Sequence, residues 1–223
     1  MASKLETEEL TRVVDGERIV DSVSVRIPTA EVVAVIGPSG AGKSSFLRLL
    51  NRLDEPTAGT VYLDGRDYRE LDPLALRRRV GFVPQAPALG SGTVADAVTV
   101  GDRLCDNPVD DERVDRLLER VGLAGYRDAS VDDLSGGEQQ RVAIVRTLYV
   151  EPEVVLLDEP TAHLDENTEA RLEALLEDLI REEALTCVVV THDTDQARRL
   201  SDRIVRLEDG RVTQVGTPQE VIP

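Results

Sequence analysis

A glycine-rich loop between an apolar run and a helical repeat constrains the fold of this chain more than any other feature. The loop Gly37–Ser44 reads GPSGAGKS and fits the pattern G-x-x-x-x-G-K-[ST]. Residues 31–36 before it are mostly apolar without alternation, which is typical of a strand covered on both faces. Leucine and phenylalanine recur at helical spacing over residues 42–53. The order strand, glycine loop, helix predicts an α/β fold built on a mostly parallel sheet.

The same loop predicts a phosphate site. Its glycines let backbone amides point at phosphate oxygens, and the following helix adds the positive end of its dipole. Lys43, one of only two lysines in the chain, is expected to reach the β- and γ-phosphates of a nucleotide, and the Ser44 hydroxyl to ligate Mg²⁺. The predicted nucleotide-binding residues are Gly37, Pro38, Ser39, Gly40, Ala41, Gly42, Lys43, Ser44 and Ser45.

Two carboxylates follow a second buried strand. Asp158 and Glu159 come directly after the apolar run 154–157. Both are therefore expected at the carboxyl edge of the sheet, where ligands bind in folds of this type. Asp158 is predicted to hold Mg²⁺, directly or through water, and Glu159 to polarise an attacking water.

The remaining sequence predicts one domain with an insertion. Alternating segments with Asp-Gly turns at 15–16 and 64–65 indicate antiparallel strands near the N-terminus. Strands and helices alternate after residue 150, and the chain ends in a hairpin and a capped turn at 217–220. We predict an ATP-binding core at about 1–85 and 150–223, and an inserted helical subdomain at about 86–149.

Charge sets limits on partners and environment. The net charge is −17, with 43 Asp and Glu against 26 Lys and Arg. This excess argues against nucleic-acid binding, since no basic patch is visible, and Arg77–Arg79 reads as a solvated helix face or a contact to a partner. Acidity with almost no lysine favours a halophilic source; a GC-rich genome explains the missing lysine but not the charge. Cys105 and Cys187 indicate no disulfide framework.

No apolar run approaches the roughly 20 residues that cross a bilayer, and the first ten residues are polar. We therefore expect a cytoplasmic protein.

The block Leu134–Arg141 reads LSGGEQQR and lies between the glycine loop and the acidic strand. With these motifs in this order, the chain from about residue 10 to 221 resembles the ATP-binding cassette (ABC) ATPases. The resemblance implies that Ser135, Gly136 and Gly137 contact the ATP of the opposite protomer in a head-to-tail dimer. It makes Glu159 the general base, His192 the switch histidine on the γ-phosphate, and Gln85 the residue that senses Mg²⁺ and the attacking water. Asp165 matches the loop that crosses the dimer interface.

Some positions depart from this family's pattern. The aromatic residue that stacks on adenine corresponds to Val13 or Val14, so selectivity for ATP over GTP is open. Ala30 stands where glycine is usual, Ser45 where threonine is common, and His163 where a small residue is expected. None of these changes removes a catalytic group, and we expect an active ATPase.

The resemblance implies the energising subunit of an ABC transporter, at the cytoplasmic face of a membrane through a separate permease subunit. A homodimer or a heterodimer with a related cassette, a solute-binding protein, and import or export all stay open. The alternative is a soluble ABC ATPase such as an iron–sulfur cluster assembly factor. A small-molecule kinase is disfavoured because it has no use for the LSGGEQQR block.

Overall fold

The computed structural model describes residues 3–162, 164–182 and 184–222. His163 lies outside these residues, and so does Glu183, the last residue of a helix that the sequence predicts over 166–183. The chain forms two sheets and a set of helices, the mixed α/β architecture that the sequence predicted.

The smaller sheet is antiparallel and forms the N-terminal part of the chain. Its order is β2-β1-β5-β6, with β3 paired to the other end of β1. The strands are β1 (Ser3–Val14), β2 (Glu17–Val23), β3 (Arg26–Pro28), β5 (Ala58–Leu63) and β6 (Arg66–Asp67). Both predicted Asp-Gly turns lie in this sheet, between β1 and β2 and between β5 and β6.

The larger sheet has the order β11-β10-β4-β9-β8-β7 and is parallel except for the edge strand β11. Its strands are β4 (Val32–Ile36), β7 (Val80–Val83), β8 (Val154–Asp158), β9 (Thr186–Val190), β10 (Arg203–Glu208) and β11 (Arg211–Gly216). The carboxyl ends of β4, β8 and β9 therefore meet at one edge, where the glycine loop and the acidic pair lie.

Eight α-helices connect the strands of the described chain. They are α1 (Lys43–Leu50), α2 (Pro73–Arg79), α3 (Val94–Leu104), α4 (Asp111–Arg120), α5 (Gly136–Tyr149), α6 (Glu166–Glu182), α7 (Thr194–Leu200) and α8 (Pro218–Val221). Helices α3, α4 and α5 pack on one another between β7 and β8, as expected for a helical insertion. Within the described residues, no helix is both long and apolar enough to cross a bilayer.

Side chains of the parallel strands alternate between two apolar layers. Val33 and Val35 of β4 join a cluster with α1 and the antiparallel sheet, whereas Val32, Ala34 and Ile36 join a cluster with α3–α7. The sheet is therefore covered on both faces, which explains why its strands read as continuous apolar runs.

The structure differs from the sequence expectation in the first strands. The alternating run 23–27 is split, because β2 ends at Val23 and β3 begins at Arg26. At the break the buried Thr7 hydroxyl donates to the Val23 carbonyl (2.9 Å) and accepts from the Val25 amide (3.0 Å). A threonine side chain thus replaces ladder hydrogen bonds, which an alternation pattern does not reveal.

Strand β7 was not predicted, and α2 was indicated only by the helix face at Arg77–Arg79. The arginines at the end of α2 form ion pairs: the exposed Arg78 pairs with Asp102, and Arg79 with Asp64 and Glu153. Ala30, at the usual glycine position, has a φ of 57°, a left-handed conformation that costs an alanine about 1 kcal/mol.

Candidate active site

The backbone of the glycine loop leaves no room for side chains at two positions. Gly37 has a φ of 154°, and a Cβ there would lie 2.0 Å from the Leu207 carbonyl oxygen. Gly42 has a φ of 90°, and its Cβ would lie 2.2 Å from the Ile19 carbonyl oxygen. The loop is therefore held between β10 and β2, and only glycine fits at either place.

The first turn of α1 opens into a cleft. Gly42 is the N-cap of this helix and offers no side-chain hydrogen bond to its amides. The cleft measures about 370 Å³ and is mostly polar; it is lined by Ile19, Ser39, Gly40, Ala41, Gly42, Lys43, Ser44, Ser45, Gln85 and Glu159. A helix N-terminus with free amides in a polar cleft is suited to an anion.

Lys43 is the cation of the cleft. Its residue is only 6 % exposed, and its Nζ donates to the carbonyl oxygens of Gly37 (2.9 Å) and Pro38 (3.0 Å). The ammonium group is thus held against the loop by hydrogen bonds to two uncharged carbonyl oxygens. Phosphate oxygens would be stronger partners for it than these carbonyls, because charge-assisted hydrogen bonds are the stronger ones.

Ser44 and Asp158 meet across the sheet edge. The Ser44 hydroxyl donates to Asp158 Oδ1 at 2.8 Å. Burial raises the pKa of the Asp158 carboxyl, although the hydrogen bond from Ser44 works in the opposite direction. A hydroxyl and a desolvated carboxylate are hard oxygen donors of the kind that Mg²⁺ prefers, and a cation there would favour the charged carboxylate. The residues therefore fit the ion.

Glu159 contacts both of the other predicted catalytic residues, Gln85 and His192. Gln85 Nε2 donates to Glu159 Oε2 at 3.3 Å, and His192 Nδ1 lies 3.3 Å from the same oxygen. Glu159 has a φ of 44°, and its amide donates to the Val190 carbonyl at the end of β9. The backbone strain at this position is the kind that active sites retain.

The predicted signature residues lie elsewhere. Ser135 caps α5 and shares a capping box with Glu138: the Ser135 amide (2.8 Å) and hydroxyl (2.6 Å) both donate to Glu138 Oε2. Gly136 is exposed, and Gly137 packs so tightly that a Cβ would lie 2.6 Å from Thr168 Cγ2. None of these residues lines the cleft of its own chain.

Asp165 is also exposed and lies outside the cleft. Its carboxylate accepts hydrogen bonds from the Thr168 amide (3.2 Å) and hydroxyl (2.7 Å), and these bonds lower its pKa. Within one chain, the structure brings together Lys43, Ser44, Asp158, Glu159, Gln85 and His192, but neither Asp165 nor the residues at the start of α5.

One cleft residue escaped the sequence analysis. Ile19 lines the cleft, whereas Val13 and Val14, the positions matched to the adenine-stacking aromatic, are 36 % and 39 % exposed and do not line it. Ile19 reaches the cleft because β2 approaches Gly42, and no sequence motif indicates this contact. Cys187 is fully buried, and burial raises the pKa of its thiol to about 12.

Three features together define a nucleotide-hydrolysing cassette. They are a phosphate loop, an acidic strand end beside it, and a separate helix that begins at a glycine-rich segment. The family described as ABC transporter matches residues 20–162, more than half of the chain. The chain therefore belongs to the ABC transporter family and is an ATPase of the ABC type, as the LSGGEQQR block predicted.

Several known proteins are similar to it. ABC transporter I family member 17 of Arabidopsis thaliana is 44% identical over 220 residues, which are 98% of this chain and 84% of that protein. The glycine betaine/carnitine/choline transport ATP-binding protein OpuCA of Bacillus subtilis (strain 168) is 38% identical over 223 residues, covering 98% of this chain and 59% of OpuCA. The chain thus spans most of the first relative and little more than half of the second.

A solved structure adds the assembled state of such a cassette. A dimeric ATP-binding cassette in a post-hydrolysis state, bound to ADP and Pi, superposes with a TM-score of 0.84 at 32% identity, covering 96% of this chain and 98% of that one. The fold is therefore that of ABC cassettes, and ATP is the nucleotide that the family match supports.

Proposed function

We propose that this chain is the Mg²⁺-dependent ATP-hydrolysing subunit of an ABC transporter, with Glu159 as its general base. The observation that carries the proposal is the convergence of Gln85 and His192 on one carboxylate oxygen of Glu159, at the mouth of a cleft floored by the phosphate loop.

Binding starts at the loop. The free amides of the first turn of α1 receive phosphate oxygens, and Lys43 exchanges its two carbonyl acceptors for the β- and γ-phosphates. Ser44 and Asp158 would hold Mg²⁺, and the ion would supply positive charge against the charge that develops on the phosphoryl oxygens.

Hydrolysis uses the carboxylate at the strand end. Glu159 accepts a proton from the attacking water, and the hydrogen bond from the Gln85 side-chain amide fixes the orientation of the Glu159 carboxylate. His192 contacts the same carboxylate and extends to the solvent side of the cleft, where a γ-phosphate would come into its reach.

Ser135, Gly136 and Gly137 serve the nucleotide of a second cassette. The exposure of the start of α5, away from its own cleft, supports this assignment, and so does the dimeric state of the similar cassette structure. Asp165, exposed beside it, is assigned to the same contact between protomers.

A separate membrane-embedded permease is the proposed partner, and the cytoplasmic face of the membrane the proposed location. The support is the transport role of the similar proteins. In this proposal the permease, and not the cassette, sets the cargo.

The test is Glu159→Gln, which keeps the shape of the side chain and removes the base. We expect at least a 100-fold loss of turnover with ATP binding retained, because general-base catalysis contributes about 10²–10⁴-fold. Glu112→Gln, at a side chain that is 92% exposed, is the matched control and should leave turnover unchanged. A fully active Glu159→Gln enzyme contradicts the assignment.

The ATP-trapped variant also tests the partner. Captured in mild detergent and high salt, it should bring a polytopic membrane protein, and a solute-binding protein in addition if the system is an importer. Capture of a soluble scaffold with cysteine-rich partners contradicts the transport function.

The charge of −17 supports a halophilic source for the protein. In dilute buffer the carboxylates repel one another over roughly 10 Å or more, whereas molar salt shortens that range to about 3 Å. We expect the free energy of unfolding to rise with salt up to molar concentration. Equal stability in dilute buffer, measured by chemical denaturation, overturns this part of the proposal.

A further inference from the structure

Behind the Glu159–His192 pair lies a buried group of hydrogen-bonded side chains that the catalytic scheme does not use. We propose that Gln196, Glu173 and Thr161, here called the α6–α7 clamp, are positioning residues that hold the loops carrying Glu159 and His192 in register. The inference rests on the proposed function, because it concerns the geometry of the same site.

Gln196 is the centre of the clamp. The residue is 1 % exposed, and its Nε2 donates to Thr161 Oγ1 (2.8 Å) and to Glu173 Oε1 (2.6 Å). One amide group of α7 thus uses both of its hydrogens to join α6 to the loop after β8.

The partners of Gln196 are fixed in turn. Thr161 donates its hydroxyl proton to Glu169 Oε1 (3.0 Å), which leaves its lone pair for the Gln196 amide. Glu173 is 8 % exposed, and its second oxygen accepts from Arg199 Nη2 at 2.6 Å. The Gln196 Nε2 group, the Thr161 hydroxyl and both Glu173 oxygens therefore have partners in definite directions, which makes the arrangement rigid.

The clamp reaches both catalytic loops through the backbone. Thr161 lies two residues after Glu159. On the other side, Asp193 is the N-cap of α7 and the neighbour of His192, and its carboxylate accepts from the backbone amide of Gln196 at 3.3 Å. A shift of Gln196 would therefore move Thr161 and Asp193 together, and with them the 3.3 Å contact between His192 and Glu159.

The carboxylates around Gln196 explain why a neutral amide lies at the centre of the α6–α7 clamp. Glu169, Glu173 and Asp193 each bring a carboxylate oxygen within 4.8 Å of the others. The exposed Arg199 on α7 pairs with Glu173, and His192 borders a pocket lined by Glu169, Asp193 and Gln196. A fourth carboxylate at position 196 would add repulsion and remove both donated bonds, whereas a neutral amide supplies two donors without charge.

The expected defect is in turnover and not in ATP binding, because no clamp residue lines the nucleotide cleft. Gln196→Leu removes the donors while keeping much of the volume. We expect kcat to fall about 10- to 100-fold, since small misplacements of catalytic groups cost rates of that order, with the KM for ATP within about twofold. Gln196→Glu should lower kcat at least as much.

The decisive variant is the exchange Glu173→Gln with Gln196→Glu. It restores one amide and one carboxylate to the pair, because the amide at position 173 can donate to the carboxylate at position 196. The Thr161 hydroxyl has one proton, so it must turn from Glu169 to the carboxylate at position 196 in this variant. We expect it to recover most of the kcat that Gln196→Glu loses. Recovery supports a specific hydrogen-bonded pair, since a general loss of packing or stability would be worsened by a second change.

Glu177→Gln is the matched control: it removes an exposed ion pair with Arg181 from the same helix α6 and should leave kcat unchanged. Wild-type kcat in Gln196→Leu, measured on fully folded protein, overturns the inference, as does an exchange variant no better than Gln196→Glu. An inactive wild-type enzyme would instead overturn the proposed function, so the two failures are distinguishable.

Discussion

Two helices of this chain begin at glycine-rich loops, and their first turns are satisfied in opposite ways. Helix α1 begins after Gly42, which is left-handed and gives its amides no side-chain partner. Helix α5 begins after Ser135, whose side chain is joined to Glu138 in a complete capping box. The first helix end faces a cleft of its own chain, and the second faces outward.

The difference indicates how each end is used. Under the proposed function, the amides of the first turn of α1 would be completed by a phosphate that binds within the chain. At α5 the Ser135 hydroxyl already donates to Glu138 at 2.6 Å, so a nucleotide from a second cassette would have to compete with or share that bond. The proposal therefore needs only one chain for the α1 site, whereas the α5 site would need the dimer and would give up part of a helix cap.

Removing the cation of the α1 site should have the largest effect. Lys43→Ala deletes charge-assisted bonds to phosphate, each worth about 1.5–3 kcal/mol, so two bonds predict a Kd for ATP at least about 100-fold higher. The measurement is equilibrium nucleotide binding to the single chain. Arg141→Ala, a cation of α5 that lies outside the cleft, should bind ATP normally. Unchanged affinity in Lys43→Ala would show that the phosphates lie elsewhere.

Two glycine substitutions should distinguish the first turn of α1 from the first turn of α5. Gly42→Ala forces a Cβ to 2.2 Å from the Ile19 carbonyl oxygen at a φ of 90°, and should cost about 1–3 kcal/mol of unfolding free energy together with ATP binding. Gly136→Ala meets no atom within 4 Å and lies in the first turn of α5.

Gly136→Ala should therefore keep or slightly raise the unfolding free energy, and keep ATP binding, while losing turnover in the dimer. Chemical denaturation and steady-state hydrolysis measure the two effects separately. Full turnover in Gly136→Ala contradicts a nucleotide contact at this end, because the added methyl group would stand in its path.

The sequence predicted the α1 site more completely than the α5 site, for a physical reason. The phosphate loop, Asp158 and Glu159 are local motifs at strand ends, so their meeting follows from the parallel sheet alone. Ile19 in the cleft and the α6–α7 clamp depend on how distant segments approach, which no spacing encodes. The role of Ser135 came from family resemblance, and its bonds to Glu138 follow the capping-box spacing. The domain boundaries near residues 85 and 150 stay predictions, since one apolar cluster runs across them.

Loss of the α5 cap alone should have a smaller effect on stability. Ser135→Ala removes the acceptor for the first-turn amide and should lower the unfolding free energy by about 1 kcal/mol, the usual cost of a lost N-cap. Ser135→Thr keeps a hydroxyl and should recover most of that stability. Thermal or chemical denaturation of both variants checks the prediction, and an Ala variant as stable as the wild type would show that the capping box is energetically silent.

The smallest effect is a pH dependence that only the α5 end should show. Hydrogen bonds from Ser135 and Tyr126 lower the pKa of Glu138 below its ordinary 4.5, so this carboxylate stabilises the fold above pH 4.5. That contribution is lost as the pH falls from 4.5 through the lowered folded-state pKa. The unfolding free energies of wild type and Glu138→Gln should therefore converge over this interval, as measured by denaturation at successive pH values. The first turn of α1 contains no acidic residue, so the stability of α1 should show no pH dependence of this kind. If the difference in unfolding free energy between wild type and Glu138→Gln stays constant with pH, the charge of Glu138 does not stabilise α5. Ser135 could then turn from Glu138 to a nucleotide without an electrostatic cost.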